Sequence, residues 1–176
     1  MVTVTNTTQK YSSAATSINS LNGAYKQIVG KYPVGTSILD IGCGKYDTNK
    51  QFSNENGFTW FGIDPYNRTE IYNTESIRAM YDYCEYPDII MLNNVLNVIA
   101  ETNVLMDVLG QVYDYAADDT DIYITIYEGD KSGIGRETTK GYQRNWKLIK
   151  YADYILEFFD VADIIKPNIL KCRKVV

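Results

Sequence analysis

The chain has 176 residues, 45% of them hydrophobic and 22% charged, with a formal net charge of −5. That length suits one domain with a sizeable core. It contains no histidine, which excludes Ser-His-Asp and Cys-His nucleophilic catalysis as usually built, His-ligated zinc, and histidine as a pH switch. Cys43, Cys84 and Cys172 are widely separated and show no CxxC spacing. Neither a disulfide framework nor a cysteine-bound metal is indicated.

The first ten residues are polar and Thr-rich and are expected to fray. They lack the basic start and apolar run of a signal peptide, and no later apolar stretch is bilayer-length, so a cytoplasmic protein is expected. The spacing of Ala14, Ile18, Leu21, Ala24, Tyr25 and Ile28 predicts a helix over residues 11–29, ended by Gly30 and Pro33. Residues 37–41 read as a buried strand closed by a glycine turn, and residues 58–63 as a second strand ending at Asp64 and Pro65. A weaker strand is expected around 70–72, and clear ones over 87–92 and 121–127. Helical spacing recurs through Val104, Leu105, Val108, Leu109, Val112 and Ala116, and again from Trp146 to Phe159. Residues 161–165 and 169–172 predict a closing antiparallel hairpin.

No repeat or linker divides the chain, so residues 1–176 are read as a single domain. Strands alternating with helices predict an α/β fold with a mainly parallel sheet and helices on both faces. Functional residues should then lie at the carboxyl ends of the strands.

Charge is uneven. Residues 1–130 hold 7 Lys/Arg against 17 Asp/Glu, a net of −10, whereas residues 131–176 hold 10 against 5, a net of +5. Such asymmetry fits either an anionic partner near the C-terminal third or a solvated face.

The sharpest motif is ILDIGCG at residues 38–44, followed by Asp64 at the end of the next strand. Gly42 and Gly44 let the backbone turn tightly and approach a ligand. An acid about 20 residues later can accept hydrogen bonds from ribose hydroxyls. A dinucleotide fingerprint would need a third glycine where Asp47 stands, and no P-loop pattern occurs. Asp40 and Asp47 suit a cationic ligand better than a pyrophosphate.

These residues resemble the class I S-adenosylmethionine-dependent methyltransferases. The likeness runs over residues 36–127 and rests on residues 39–44, Asp64 and residues 88–99. It implies a Rossmann-like fold and S-adenosylmethionine as cofactor. By the resemblance, Asp40 and the turn Gly42, Cys43 and Gly44 border the methionine part, and Asp64, with Pro65 beside it, holds the ribose. Residues 73–77 would lie near the adenine, and Asn93 and Asn94 between cofactor and substrate. The segments VLNVI at 95–99, EGDKSGIGR at 128–136 and GYQRN at 141–145 further resemble small phage-encoded methyltransferase-like proteins and methyltransferases encoded beside DNA phosphorothioation genes.

The chain departs from DNA amino-methyltransferases, whose [DNS]-P-P-[YFW] motif is replaced by Asn93, Asn94, Val95 and Leu96. It also lacks the Pro-Cys dipeptide of C5-cytosine enzymes, and Cys43 reads as a small packed residue. Methyl transfer from a sulfonium needs alignment more than side-chain chemistry. Where a base is required, Glu128 or Asp130 could serve, beside Asn93.

The acceptor is expected on the side of Tyr127, Arg136, Tyr142, Gln143 and Asn145, in a glycine-rich flexible loop over residues 131–145 that also carries Lys140 and Arg144. The N-terminal helix, with Tyr11 as a lid contact, would lie over the cofactor by fold analogy, and one of Tyr81, Tyr83 or Tyr86 could reach the adenine.

A methyltransferase with a small-molecule or undetermined acceptor is the leading reading. A non-catalytic S-adenosylmethionine-binding regulator stands beside it, as does an enzyme that cleaves the cofactor or transfers its aminocarboxypropyl arm. No membrane partner is expected. Overall acidity opposes nonspecific nucleic-acid binding, while the local +5 admits a directed contact with nucleic acid.

Overall fold

The structure is a computed structural model that describes residues 9–175. Four short strands, β1 (Ser37–Ile41), β2 (Thr59–Ile63), β3 (Ile89–Asn93) and β4 (Asp121–Thr125), run parallel, and β7 (Phe159–Lys166) and β8 (Ile169–Lys174) close the sheet antiparallel. The order is β2-β1-β3-β4-β8-β7. Between β4 and β7 a separate hairpin forms from β5 (Arg136–Thr138) and β6 (Gly141–Gln143).

Near-continuous apolar runs make the inner strands because both faces of the parallel sheet are covered. Leu39, Ile41, Phe61, Ile63, Ile90 and Leu92 point to one face. There they meet Ile77 and Met80 of α3 (Glu70–Tyr83) and Leu105, Leu109 and Val112 of α4 (Thr102–Tyr115). Alternate residues Ile38, Trp60, Ile89, Met91 and Tyr123 point to the other face, against Tyr25 and Ile28 of α1 (Tyr25–Ile28). The helix α2 (Thr48–Glu55) follows the glycine turn and packs beside β2. Among the described residues no helix is long and apolar enough to cross a membrane.

From β1 the chain passes to β2 on one side, and from β2 it crosses to β3 on the other. A crevice therefore opens at the carboxyl ends of β1 and β3.

Several elements differ from the sequence expectation. The helix over 11–29 is reduced to a 3-10 turn at Ala14–Thr16 and the single turn of α1. Its polar side chains bond locally to backbone instead: Thr16 Oγ1 donates to Ser13 O, and Asn22 Oδ1 accepts the Ala24 N–H. Ile18, expected on the buried face, is 70% exposed. Residues 9–22 thus form a strap rather than a helix.

Of the ten residues expected to fray, 1–8 lie outside the described residues. Gln9 and Lys10 are held, their amides donating to Tyr66 Oη at 3.2 Å and Glu101 Oε1 at 2.9 Å. The weak strand at 70–72 is instead the first turn of α3, capped by Thr69, whose hydroxyl accepts the Tyr72 N–H. The helix expected from 146 to 159 is broken into a 3-10 turn at Leu148–Tyr151 and α5 (Ala152–Ile155). Trp146, which would have begun it, donates instead to Gly133 O and packs on Tyr151 and Tyr154. The strand expected over 121–127 ends at Thr125.

Candidate active site

The turn after β1 is stapled to the end of β2. Gly42 and Gly44 adopt φ of 76° and 71°, a region open to glycine at little cost. A Cβ at Gly42 would strike Val95, and one at Gly44 would strike the Ser17 hydroxyl of the strap. The N–H groups of Gly42 and Cys43 donate to Ile63 O. Gly44 N–H donates to Asp64 Oδ2 at 2.9 Å, and Arg68 Nε donates to Gly44 O at 2.8 Å.

Asp64 is buried and heavily used. Its Oδ1 accepts the N–H groups of Tyr66 and Asn67, both at 2.8 Å, which shapes the loop of Pro65, Tyr66 and Asn67. Asn73 clamps the Asp64 backbone from both sides, accepting its N–H and donating to its carbonyl. Where the motif suggested a carboxylate free for a diol, the structure shows one that already organises the loop; any further donor shares its lone pairs.

Asp40 lies behind the turn rather than in the cavity wall. It is fully buried, with Oδ2 accepting Tyr25 Oη–H at 2.6 Å and Asn49 Nδ2 at 3.2 Å, and Trp60 Nε1 donating to Tyr25 Oη. Burial without a cation pushes its carboxyl up to about 7. Burial also raises the Cys43 thiol, which packs here and is no thiolate nucleophile.

At the end of β3, Asn93 Oδ1 accepts Thr125 Oγ1–H at 3.1 Å, and Asn94, at φ 56°, donates its N–H to Thr125 O at 2.8 Å. Both residues line the cavity; Asn94 Oδ1 is shielded from solvent with no hydrogen-bond partner among the described residues, and the Asn93 amide helps hold down the Asp40 carboxyl that burial raises.

In the segment expected to be a flexible acceptor loop, residues 136–143 form the β5–β6 hairpin, while 131–135 have no regular structure. Gln143 Nε2 donates to Tyr127 O at 3.0 Å and its Oε1 accepts Asn97 Nδ2 at 3.1 Å. Asn145, at φ 55°, accepts the Asp130 N–H and donates to Ile134 O. Tyr142 stacks on Tyr11 with ring centroids 5.2 Å apart. The strap lines the cavity through Gln9, Ser13, Thr16 and Ser17, whereas Tyr11, the expected lid contact, stays outside the wall and touches the site only by stacking on Tyr142.

Glu128 corrects the sequence reading. It does not line the cavity. Its Oε1 accepts the Leu148 N–H at 2.7 Å and its Oε2 pairs with Lys131 at 3.1 Å, which together hold the carboxyl below its usual range. The carboxyl expected as a base is thus engaged as a cap on the Leu148 N–H. Arg144 is also withdrawn from the acceptor side, being buried with Nε on Ile99 O and Nη2 on Ala100 O. Tyr81, Tyr83 and Tyr86 stay outside the cavity wall, with Tyr83 Oη–H donating to Gly35 O. The stretch 73–77 also stays outside, because Asn73 and Ser76 bond the backbone of β2 and its end.

What remains encloses a cavity of about 710 Å³. Its wall joins Gly42, Cys43, Gly44, Asp64 and Pro65 to Asn93 and Asn94, and these to Tyr127, Arg136, Tyr142, Gln143 and Asn145. The sequence reading missed Asn67 and Asn97, which also line it. Asn97 had a visible signal, a lone amide within the apolar run VLNVI. Among the described residues no group of three His, Cys, Asp or Glu side chains is placed to hold a metal ion.

No family model matches the chain, and no curated protein does. Solved structures match over most of its length. A TehB-like S-adenosylmethionine-dependent methyltransferase from Corynebacterium glutamicum superposes with TM-score 0.54 at 16% identity, covering 89% of this chain and 90% of that one. An S-adenosylmethionine-dependent methyltransferase from Clostridium acetobutylicum gives TM-score 0.57 at 10% identity, over 87% and 89%. The sugar N-methyltransferase KedS8 from Streptoalloteichus gives 0.55 at 10%, over 86% and 85%. The fold is the Rossmann-like fold of these methyltransferases. Its crevice, at the carboxyl ends of β1 and β3, coincides with the cavity described above.

Proposed function

We propose that the chain is an S-adenosylmethionine-dependent methyltransferase that acts on a small molecule. The observation that carries this reading is the solvent-shielded Asn94 Oδ1, without a hydrogen-bond partner among the described residues, in the wall of a 710 Å³ cavity beside the glycine turn. Buried polar groups without partners are costly, and a ligand with complementary donors and acceptors relieves them.

The donor set suits this cofactor. Gly42 and Gly44 present backbone without side chains, Asp64 offers an acceptor to ribose hydroxyls, and Asp40 adds negative potential from behind the turn when it ionises, above about pH 7. When bound, the cofactor supplies a methyl group on a sulfonium, already activated for displacement. The chain then has to orient the acceptor and keep water out.

Asp64 and Asp130 are the carboxylates of the cavity wall among the described residues. Asp130 is held below its usual range by the Ser132 hydroxyl and N–H and by Arg136, so it is a weak base. This favours an acceptor whose nucleophilic atom needs little deprotonation, such as a neutral amine or an already ionised oxygen. The strap and the β5–β6 hairpin enclose the cavity from two sides, which favours a small acceptor over a protein or duplex.

Calorimetry with S-adenosylmethionine and S-adenosylhomocysteine tests the cofactor, with micromolar-range binding expected on the order of −8 kcal/mol. Incubation with methyl-labelled cofactor and a metabolite extract then tests transfer. Binding without any labelled small molecule would sink the catalytic half of the proposal.

A further inference from the structure

Six basic residues lie between 131 and 150, and the structure sorts them. Lys131 pairs with Glu128 at 3.1 Å. Arg144 is buried on two backbone carbonyls, with its guanidinium 4.3 Å from the Trp146 ring. Lys150 lies 5.8 Å from the same ring, and Lys147 is exposed outside the cavity wall. Arg136 and Lys140 remain, and among the described residues they are the only Lys or Arg side chains that line the cavity.

Both belong to the β5–β6 hairpin, which is fixed in place. Gln143 bonds Tyr127 and Asn97, Arg144 N–H donates to Asn97 O, Tyr142 stacks on Tyr11, and Gly141 packs under the Ser12 carbonyl. Arg136 places Nη2 at 3.3 Å from Asp130 Oδ2, which orients the guanidinium while its other N–H groups meet no acceptor among the described residues. Lys140 has no carboxylate within 4.0 Å among the described residues. Against the wall's Asp64 and Asp130, these two cations bring the charged lining to neutrality in a chain of net charge −5, and Lys140 places positive charge at the hairpin with no carboxylate beside it among the described residues.

We propose that the acceptor carries an anionic group, a carboxylate or a phosphate, that Arg136 and Lys140 engage at the cavity mouth. This rests on the methyltransferase reading of the same cavity. A guanidinium fork and a mobile ammonium are complementary partners for a three- or two-oxygen anion. Two cations release few counterions, and the acidic remainder of the surface repels a polyanion, so a small anion is favoured over a nucleic-acid backbone.

The test is a nuclear magnetic resonance titration of the full chain, with and without saturating S-adenosylhomocysteine, against methyl phosphate, acetate and methylammonium at low salt. Methyl phosphate or acetate is expected to shift the amides of 136–143 saturably, while methylammonium leaves them unmoved. The tighter of the two anions identifies the phosphate or carboxylate source. Arg136→Ala with Lys140→Ala is expected to weaken that anion by about tenfold or more and S-adenosylhomocysteine by less than about twofold.

The proposal is overturned if neither anion shifts the hairpin, or if the double variant responds as the parent does. A single-stranded oligonucleotide that binds these amides about 100-fold more tightly than methyl phosphate would also overturn it, in favour of a nucleic-acid surface. If S-adenosylhomocysteine fails to bind while the anion response persists, the cofactor reading falls and the anion site stands.

Discussion

The Asp64 carboxylate accepts the Gly44 N–H at 2.9 Å, which ties the loop after β2 to the turn after β1. Arg68 ties the two loops on the other side, with Nε on Gly44 O and Nη2 on Asp47 at 2.6 Å. A ligand in this crevice meets a preformed floor.

Removing that carboxylate should therefore act on both fold and ligand. Asp64→Ala leaves the N–H groups of Gly44, Tyr66 and Asn67 without their acceptor. A loss of about 3 kcal/mol in unfolding free energy is expected by denaturant titration. Asp64→Asn keeps one acceptor oxygen and should fold, while binding S-adenosylhomocysteine about tenfold more weakly in calorimetry. Unchanged affinity in the Asn variant would remove Asp64 from the ligand site.

Asp40 should leave a signature in the pH dependence of stability. Its carboxyl stands at about 7 in the folded chain, against 3.8 as its ordinary value, because burial outweighs the bonds from Tyr25 and Asn49. The folded state thus holds a proton that the unfolded state releases. The contribution is fully present below pH 3.8 and is lost as pH rises through about 7. Asp40→Asn lacks this slope. The difference in unfolding free energy between variant and parent should shift toward the variant by on the order of 4 kcal/mol across that window. The same ionisation should raise the affinity for the cationic sulfonium ligand relative to its neutral thioether product above that pH. A pH-independent ratio would show that Asp40 does not sense the ligand.

The parts of this arrangement that were legible in the sequence are those set by local pattern. The apolar runs of β1 and β2, the two glycines and Asp64 all lie within 28 residues, from Ser37 to Asp64. Their spacing alone fixes which strand ends carry the turn and the acid. The strap was not legible, because Ile18 sits at helical spacing by coincidence while Ser13, Thr16 and Asn22 divert the backbone. Nor was the β5–β6 hairpin, whose support is distant: Asn97 reaches Gln143 across 46 positions, and Tyr11 reaches Tyr142. Glu128 misled for the same reason. A carboxylate at a strand end reads as a base until the Leu148 N–H it caps comes into view.

That reassignment has a direct test. Glu128→Gln should lose the Lys131 pair while an amide oxygen still caps Leu148, and Glu128→Ala should lose both. The Ala variant is expected to be less stable by about 1 kcal/mol, and the Gln variant by less. Neither substitution removes a cavity-lining group, so methyl-transfer rates should stay within about threefold of the parent. A fall of about a thousandfold with the fold intact would restore Glu128 as a general base.

The strap should prove separable from the core. Tyr11 stacks on Tyr142 at an interplanar angle of 17°, and Lys10 N–H and Ser17 Oγ make the neighbouring anchors to Glu101 and the Lys45 amide. Gln9 on Tyr66, Asn22 on Asn49 and the half-buried Leu21 also hold it, but Ile18 faces solvent and the N-terminal part of the strap buries little apolar surface. Tyr11→Ala should therefore cost about 1 kcal/mol locally and leave global unfolding nearly unchanged. Hydrogen exchange is the measurement: amides that the strap protects, including that of Lys45, should exchange about fivefold faster, while those of β1 and β3 keep their protection. Because the strap also lines the cavity, the dissociation rate of S-adenosylhomocysteine should rise in the same variant. Equal exchange in both proteins would mean that Ser17 and Lys10 hold the strap without the aromatic stack.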